Sequence, residues 1–155
     1  MKTQQQWAKG DVFLVPLQDG SSLVAQVVGQ EKQVLNSVTC AFFDWRIKSS
    51  SEIIQTSKMP TDKLFSILFV TRDLLDAGIW AVVAHCTIGI PANMLPFENL
   101  RKGGFVGAKV VGSGNIIKFL NAFYALSPWN QMKDPNYFDK FLVSPGKKPV
   151  KLIWI

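Results

Sequence analysis

The residues able to do chemistry in this chain are few. It has one histidine, His85, and two cysteines, Cys40 and Cys86. A single histidine excludes two-His metal sites, and cysteines 46 positions apart form neither a CxxC redox pair nor a zinc ligand set. A nucleophilic cysteine needs a histidine within hydrogen-bond reach. His85 and Cys86 are sequence neighbours whose side chains point to opposite faces of a strand, so Cys40 with His85 across a sheet is the one pairing open to a hydrolase. The simpler reading is two buried thiols acting as small hydrophobes and a satisfied histidine.

Carboxylate pairs are no more promising. Asp73 and Asp76 share a turn, while Asp134 and Asp139 fall in one short helix that needs Asp134 as its cap. Glycines surround Val110-Val111, but Gly112-Ser113-Gly114-Asn115 lacks the GxGxxG spacing and no GKS or GKT follows. The helix starting near Asn115 reads as ordinarily capped. No cofactor and no metal is expected. One constellation stays open: Asp44-Trp45-Arg46 puts an acid and a base on the same side of a strand end, either as an interface hot spot or as a surface ion pair beside a core Trp.

The elements that must position these residues begin with Asp11–Leu17 and Leu23–Val28, two apolar runs around Asp19-Gly20, which predict a β-hairpin. Pro16 implies an edge or a bulge. Val34–Trp45 reads as a third strand, with Val38, Cys40 and Phe42 on one face and Thr39, Ala41 and Phe43 on the other. Lys48–Asp62 reads as a long loop and Ile88–Leu100 as an irregular connection. Leu64–Val70 and Ile79–His85 are expected side by side as the centre of the sheet, with Phe105–Val111 as a last strand. A helix over Ile116–Tyr124 is capped by Ser113 or Asn115, and Asp134-Pro135 opens a second, with Tyr137, Phe138, Phe141 and Leu142 on its apolar face. Trp7, Trp80, Trp129 and Trp154 fall at element ends, where a Trp can bury its body and satisfy its N–H.

The fold class is therefore α+β: an antiparallel, partly barrel-like sheet from the N-terminal two thirds with C-terminal helices packed on it. The 155 residues fit a single domain, β-rich over 10–111 and helical over 113–143, with a terminal edge strand at 150–155 that could pair two copies as a homodimer. Hydrophobic residues at 48% exclude a disordered polymer. No apolar run reaches the ~18 residues of a membrane span, and the N-terminal residues lack a signal-peptide core, so the expected location is cytoplasmic.

Charge is unevenly spread. Residues 1–102 hold ten Lys and Arg against nine Asp and Glu, whereas residues 103–155 hold seven Lys against two Asp. The favoured reading is a solvated terminus, because the lysines are scattered and Arg is absent there. The alternative is a footprint for nucleic acid or an acidic protein, and a small basic β-rich nucleic-acid-binding module is the competing function.

The order of motifs adds a resemblance. Lys9–Leu17, Asp19-Gly20 and Ala25–Val28, then Ala41-Phe42-Phe43-Asp44, then Leu64–Val70 followed by Gly78–Val83, resemble the bacterial immunity protein 26 family of polymorphic-toxin systems. Phe119–Leu126, Pro128-Trp129-Asn130 and Asp134–Asp139 look like that family's helical end. Gln26 departs from the pattern, standing where a small residue is expected. The resemblance implies a cytoplasmic protein that binds the C-terminal domain of a cognate toxin and blocks it by occlusion, without catalysis. The partner-binding candidates are Asp44, Trp45, Arg46 and Arg72, with Lys48–Asp62 as a contact loop; nucleic acid and membrane are not expected partners.

Overall fold

A computed structural model of the chain describes residues 4–31, 36–48, 59–91 and 109–155. Six strands form one sheet: β1 (Asp11–Pro16), β2 (Ser22–Glu31), β3 (Ser37–Ile47), β4 (Leu64–Val70), β5 (Ala81–His85) and β6 (Val110–Val111). Their order is β5-β1-β2-β3-β4-β6, antiparallel except for β4 with β6. The α+β class and the mostly antiparallel sheet hold, but the sheet is open rather than barrel-like, with β5 and β6 at its two ends.

The β1–β2 hairpin forms as its turn residues require. Gly20 has φ +87°, and Asp19 Oδ1 accepts the backbone N–H of Ser21 at 3.0 Å. Pro16 pairs with Ser22, but the β5 ladder ends at Leu14, so the missing N–H of proline costs no bond there. The faces of β3 divide as expected: Val38, Cys40 and Phe42 join one core with Phe13 and Phe65, and Ala41 and Phe43 join a second with Val12, Leu14 and Ile67. Burial on both faces explains why these strands read as continuous apolar runs.

The expected pairing of Leu64–Val70 with Ile79–His85 is incorrect. β4 lies between β3 and β6, whereas β5 pairs with β1 at the opposite edge. Residues 71–80, including the single helical turn α1 (Asp73–Asp76), carry the chain between them. Burial decides the placement. Ala81, Val83 and His85 are exposed, which suits an edge, and Trp80 is fully buried against Phe13, their rings stacked at 5.6 Å. Gln5 covers that edge: its Oε1 accepts from Val82 N at 2.9 Å, and its Nε2 donates to the carbonyls of Leu75 and Trp80.

Helix α2 (Ser113–Phe123) packs Ile116, Phe119, Leu120 and Phe123 onto the first face of the sheet. Neither expected cap is used. Gly112 holds the cap position, and the Ser113 hydroxyl donates to the Asp73 carboxylate at 2.7 Å while Ser113 N donates to Thr71 Oγ1 at 2.9 Å. Burial opposes charge on Asp73, but the hydrogen bonds from Thr71 and Ser113 outweigh it and hold the carboxyl below its ordinary value. A depressed folded value means this contribution is present above the unfolded pKa of about 3.9 and lost as pH falls through the folded one. Asp73 is exposed, so solvent screening keeps the contribution small. Asp73→Asn should lower the urea midpoint by the equivalent of roughly 0.5 kcal/mol at pH 7, and the difference from the parent should vanish by about pH 2.

The second expected helix is a 3-10 turn, Tyr137–Phe141, preceded by Asn136 at its cap. Asp134 instead accepts from Asn136 N and from Lys140 Nζ, both at 2.9 Å. The turn docks on β4 through Ser66 Oγ, which donates to the Phe141 carbonyl at 2.6 Å, and through Val143 N to Phe65 O at 2.9 Å. Residues 150–155 are not an edge strand. They make one parallel bridge, Pro128 with Ile153, and Trp129 N donates to Ile153 O at 2.8 Å. The partner is the loop after α2, so the sheet edge on which pairing of two copies rested is absent. Of the loop expected over 48–62 only Lys48 and Met59–Asp62 are described, of the connection over 88–100 only residues 88–91, and of the strand expected over 105–111 only 109–111.

Candidate functional site

The cysteine and histidine are not brought together. Cys40 is fully buried on β3, and His85 is on β5, three strand spacings or about 14 Å away. Burial pushes the Cys40 thiol far above its ordinary value and raises that of Cys86 too, so both stay protonated and unreactive. His85 Nδ1 bonds Asp11 Oδ1 at 2.8 Å on the surface. Its ring lies against Gly10, where a Cβ would stand 2.6 Å from Cε1. Among the described residues no group of three His, Cys, Asp or Glu could hold a metal ion. The carboxylates of α1 are engaged as well: Asp76 Oδ1 accepts from Trp7 Nε1 at 2.7 Å and pairs with Arg72 at 3.4 Å.

Asp44 and Arg46 do share one side of the end of β3, but they meet through a residue that no sequence signal marks. The Tyr124 hydroxyl, at the C-terminus of α2, donates to Asp44 Oδ1 at 2.8 Å, and the Arg46 guanidinium lies 4.1 Å over the Tyr124 ring. Burial, with the Asp44 bond, drives the Tyr124 phenol well above its ordinary value, so it remains a neutral donor. Arg46 also pairs with Asp19 at 3.4 Å, and the Asp19 carboxyl is held low mainly by hydrogen bonds from Ser21. Trp45 packs into the core of the opposite face. Arg72 stands at the other end of the sheet, since Val38 pairs with Val70; along β3 that is roughly 25 Å from Arg46. There its guanidinium lies 5.2 Å from the Trp7 ring and lines a cleft of about 480 Å³ with Gln4 and Asn36. The four candidates thus form one pair and two separate sites, and both arginines already have internal partners.

What this scaffold is follows from its family. The family model for immunity protein 26 matches residues 8–99, more than half of the chain and all of β1 to β5. The chain belongs to the immunity protein 26 family. Immunity protein 26 is an immunity family of polymorphic-toxin systems, generally non-catalytic, and immunity proteins bind a cognate toxin. No curated protein and no solved structure matches this chain. In this immunity protein 26 member the matched residues build five of the six strands, and the edge strand β6, with α2 and the aromatic turn that cover the sheet, lies beyond the match. Among the described residues no helix is long and apolar enough to cross a membrane.

Proposed function

We propose that this protein neutralises its cognate toxin in the cytoplasm by occluding the toxin's C-terminal domain, without transforming a substrate. Membership of the immunity protein 26 family carries the reading. Two features support it. The sheet is buried on both faces and gives a stiff platform of the kind tight inhibition needs, since rigid surfaces avoid the cost of ordering on binding. The cysteine weighed as a nucleophile, Cys40, is sealed in the core.

Nucleic-acid binding is the weaker reading. Single strands are held by exposed aromatic platforms among cations, and among the described aromatic residues Trp154 alone is exposed. The test is titration of the toxin encoded beside this gene. Occlusion predicts a stable complex at micromolar concentration, growth rescue on co-expression, and toxin activity falling to zero at one immunity protein per toxin. Protection at far lower ratios would indicate catalysis, and no complex at all would refute the reading.

A further inference from the structure

Among the described residues the unpaired positive charge does not lie on the arginines. Arg46, Arg72, Lys140 and Lys148 each have a carboxylate partner. Seven of the described lysines make no ion pair, among them the exposed Lys109, Lys118 and Lys133. Lys109 and Lys133 stand at two clefts that share Tyr137 as a wall. The first, of about 510 Å³, is lined by Met132, Lys133 and Asn115; the second, of about 480 Å³, by Leu68, Lys109 and Lys140. Asp134 of the first cleft pairs with Lys140 of the second at 2.9 Å, so the one carboxylate among the described residues lining the furrow is already neutralised.

Tyr137 is fixed before any partner arrives. Its ring meets Phe141 edge-on at 4.8 Å and Phe138 at 6.1 Å, on the turn anchored to β4 by Ser66. A preset aromatic wall, an adaptable Met132 and unpaired lysines on the rim are the composition of an interface centre with a cationic border. We propose that this furrow is where the toxin docks, and that it takes a toxin loop presenting an apolar side chain flanked by carboxylates. The apolar group enters beside Met132 and Tyr137, and the carboxylates meet Lys109 and Lys133. The inference rests on the toxin-binding reading and assigns it a surface. Apart from Leu68, the furrow belongs to the part of the chain beyond residues 8–99.

The experiment measures binding of the purified toxin domain encoded beside this gene to three full-length proteins: the parent, Lys9→Glu, and Lys109→Glu with Lys133→Glu. Lys9 is an exposed lysine preceding β1, at least three strand spacings from the furrow, and controls for general steering by charge. All three lysines are exposed, so equal melting temperatures are expected. The furrow variant should bind about a hundredfold more weakly than the parent, and Lys9→Glu within about threefold of it. Equal affinity of the two variants overturns the assignment while leaving toxin binding intact. Loss by the furrow variant of single-stranded oligonucleotide binding alone overturns it in favour of nucleic acid. Failure of all three proteins, parent included, to bind the toxin domain refutes the functional reading itself and the furrow with it.

Discussion

Replacing Phe119 with alanine is expected to lower the stability of the folded protein by about 4 kcal/mol. The side chain is fully buried on α2 and its ring is the meeting point of the aromatic core. It contacts Phe65 of β4 at 5.9 Å, Trp129 at 5.8 Å, Phe138 at 5.5 Å and Phe141 edge-on at 5.0 Å. These neighbours come from three parts of the chain, and each is held elsewhere: Trp129 Nε1 donates to Asp139 at 2.7 Å, and the Phe141 carbonyl is bonded by Ser66. A cavity whose walls are fixed separately collapses poorly, which places the cost in the upper part of the range for Phe to Ala. Phe123→Ala should cost less. Its ring stacks on Phe65 at 3.8 Å, but it keeps 7% exposure and touches fewer rings. Urea unfolding read by far-UV circular dichroism and by Trp fluorescence checks both variants. A single-domain chain should show one transition in each probe, with the midpoint for Phe119→Ala well below that for Phe123→Ala. Two separate transitions, or a loss for Phe119→Ala under about 2 kcal/mol, would mean that the C-terminal aromatic layer is not part of the cooperative core.

The parts of this fold that are legible in the sequence are those set by neighbours along the chain. Asp19-Gly20 between two apolar runs specifies the β1–β2 hairpin, and period-two alternation sorts Val38 to Phe43 between two cores. Where the deciding contact is distant, the signal is missing. Successive strands pair more often than not, which favours β4 beside β5; the contact that places β5 is Trp80 on Phe13, 67 positions away. Ser113 has the chemistry of an N-cap, but its hydroxyl is drawn to Asp73, 40 positions away, by a carboxylate already fixed on α1. The residues 134–141 carry a helix-like apolar pattern, yet the segment is short enough that docking on β4 settles it as a 3-10 turn.

The candidate site divides along the same line. Asp44 and Arg46 are correctly read as sharing a side, because strand geometry alone decides it, but Tyr124 between them lies 80 positions from Asp44. The lysine excess of the last third is plain in the composition, and its meaning is not. Solvated lysines and a cationic rim have the same sequence; what separates them is whether the lysines border clefts with a fixed apolar wall. Lys109 and Lys133 do, whereas Arg46 and Arg72, the more obvious anchors, are already engaged by Asp19, Asp76 and aromatic rings.

Gln26→Glu should be the most damaging near-isosteric change in the sheet, and its cost should depend on pH. Gln26 stands in β2 with no exposure. Its Nε2 donates to Cys86 O at 2.8 Å and Gly10 O at 3.2 Å, clipping the turn before β1 to the residue after β5. Oε1 is buried without a partner. A carboxylate here would face two carbonyl oxygens with no donor, so its pKa would rise well above the unfolded value of about 4.3. The sign follows: a raised folded pKa leaves the acid neutral, and the variant least perturbed, below about pH 4.3, and stability is lost as pH climbs toward the folded value. Each tenfold weakening of the acid on folding is worth about 1.4 kcal/mol, so an acid weakened about a thousandfold removes about 4 kcal/mol at neutral pH. The acid form still loses one of two donated bonds, about 1 kcal/mol. Gln26→Met, which keeps the length and loses both donors, should cost about 2 kcal/mol at every pH. Unfolding midpoints of the two variants at pH 4 and pH 7.5 separate lost hydrogen bonds from buried charge: the Met variant should hold a constant offset from the parent while the Glu variant crosses below it. A Glu variant whose offset did not grow with pH would show that water reaches this site, and that Gln26 is not the sealed clip joining β1 to β5.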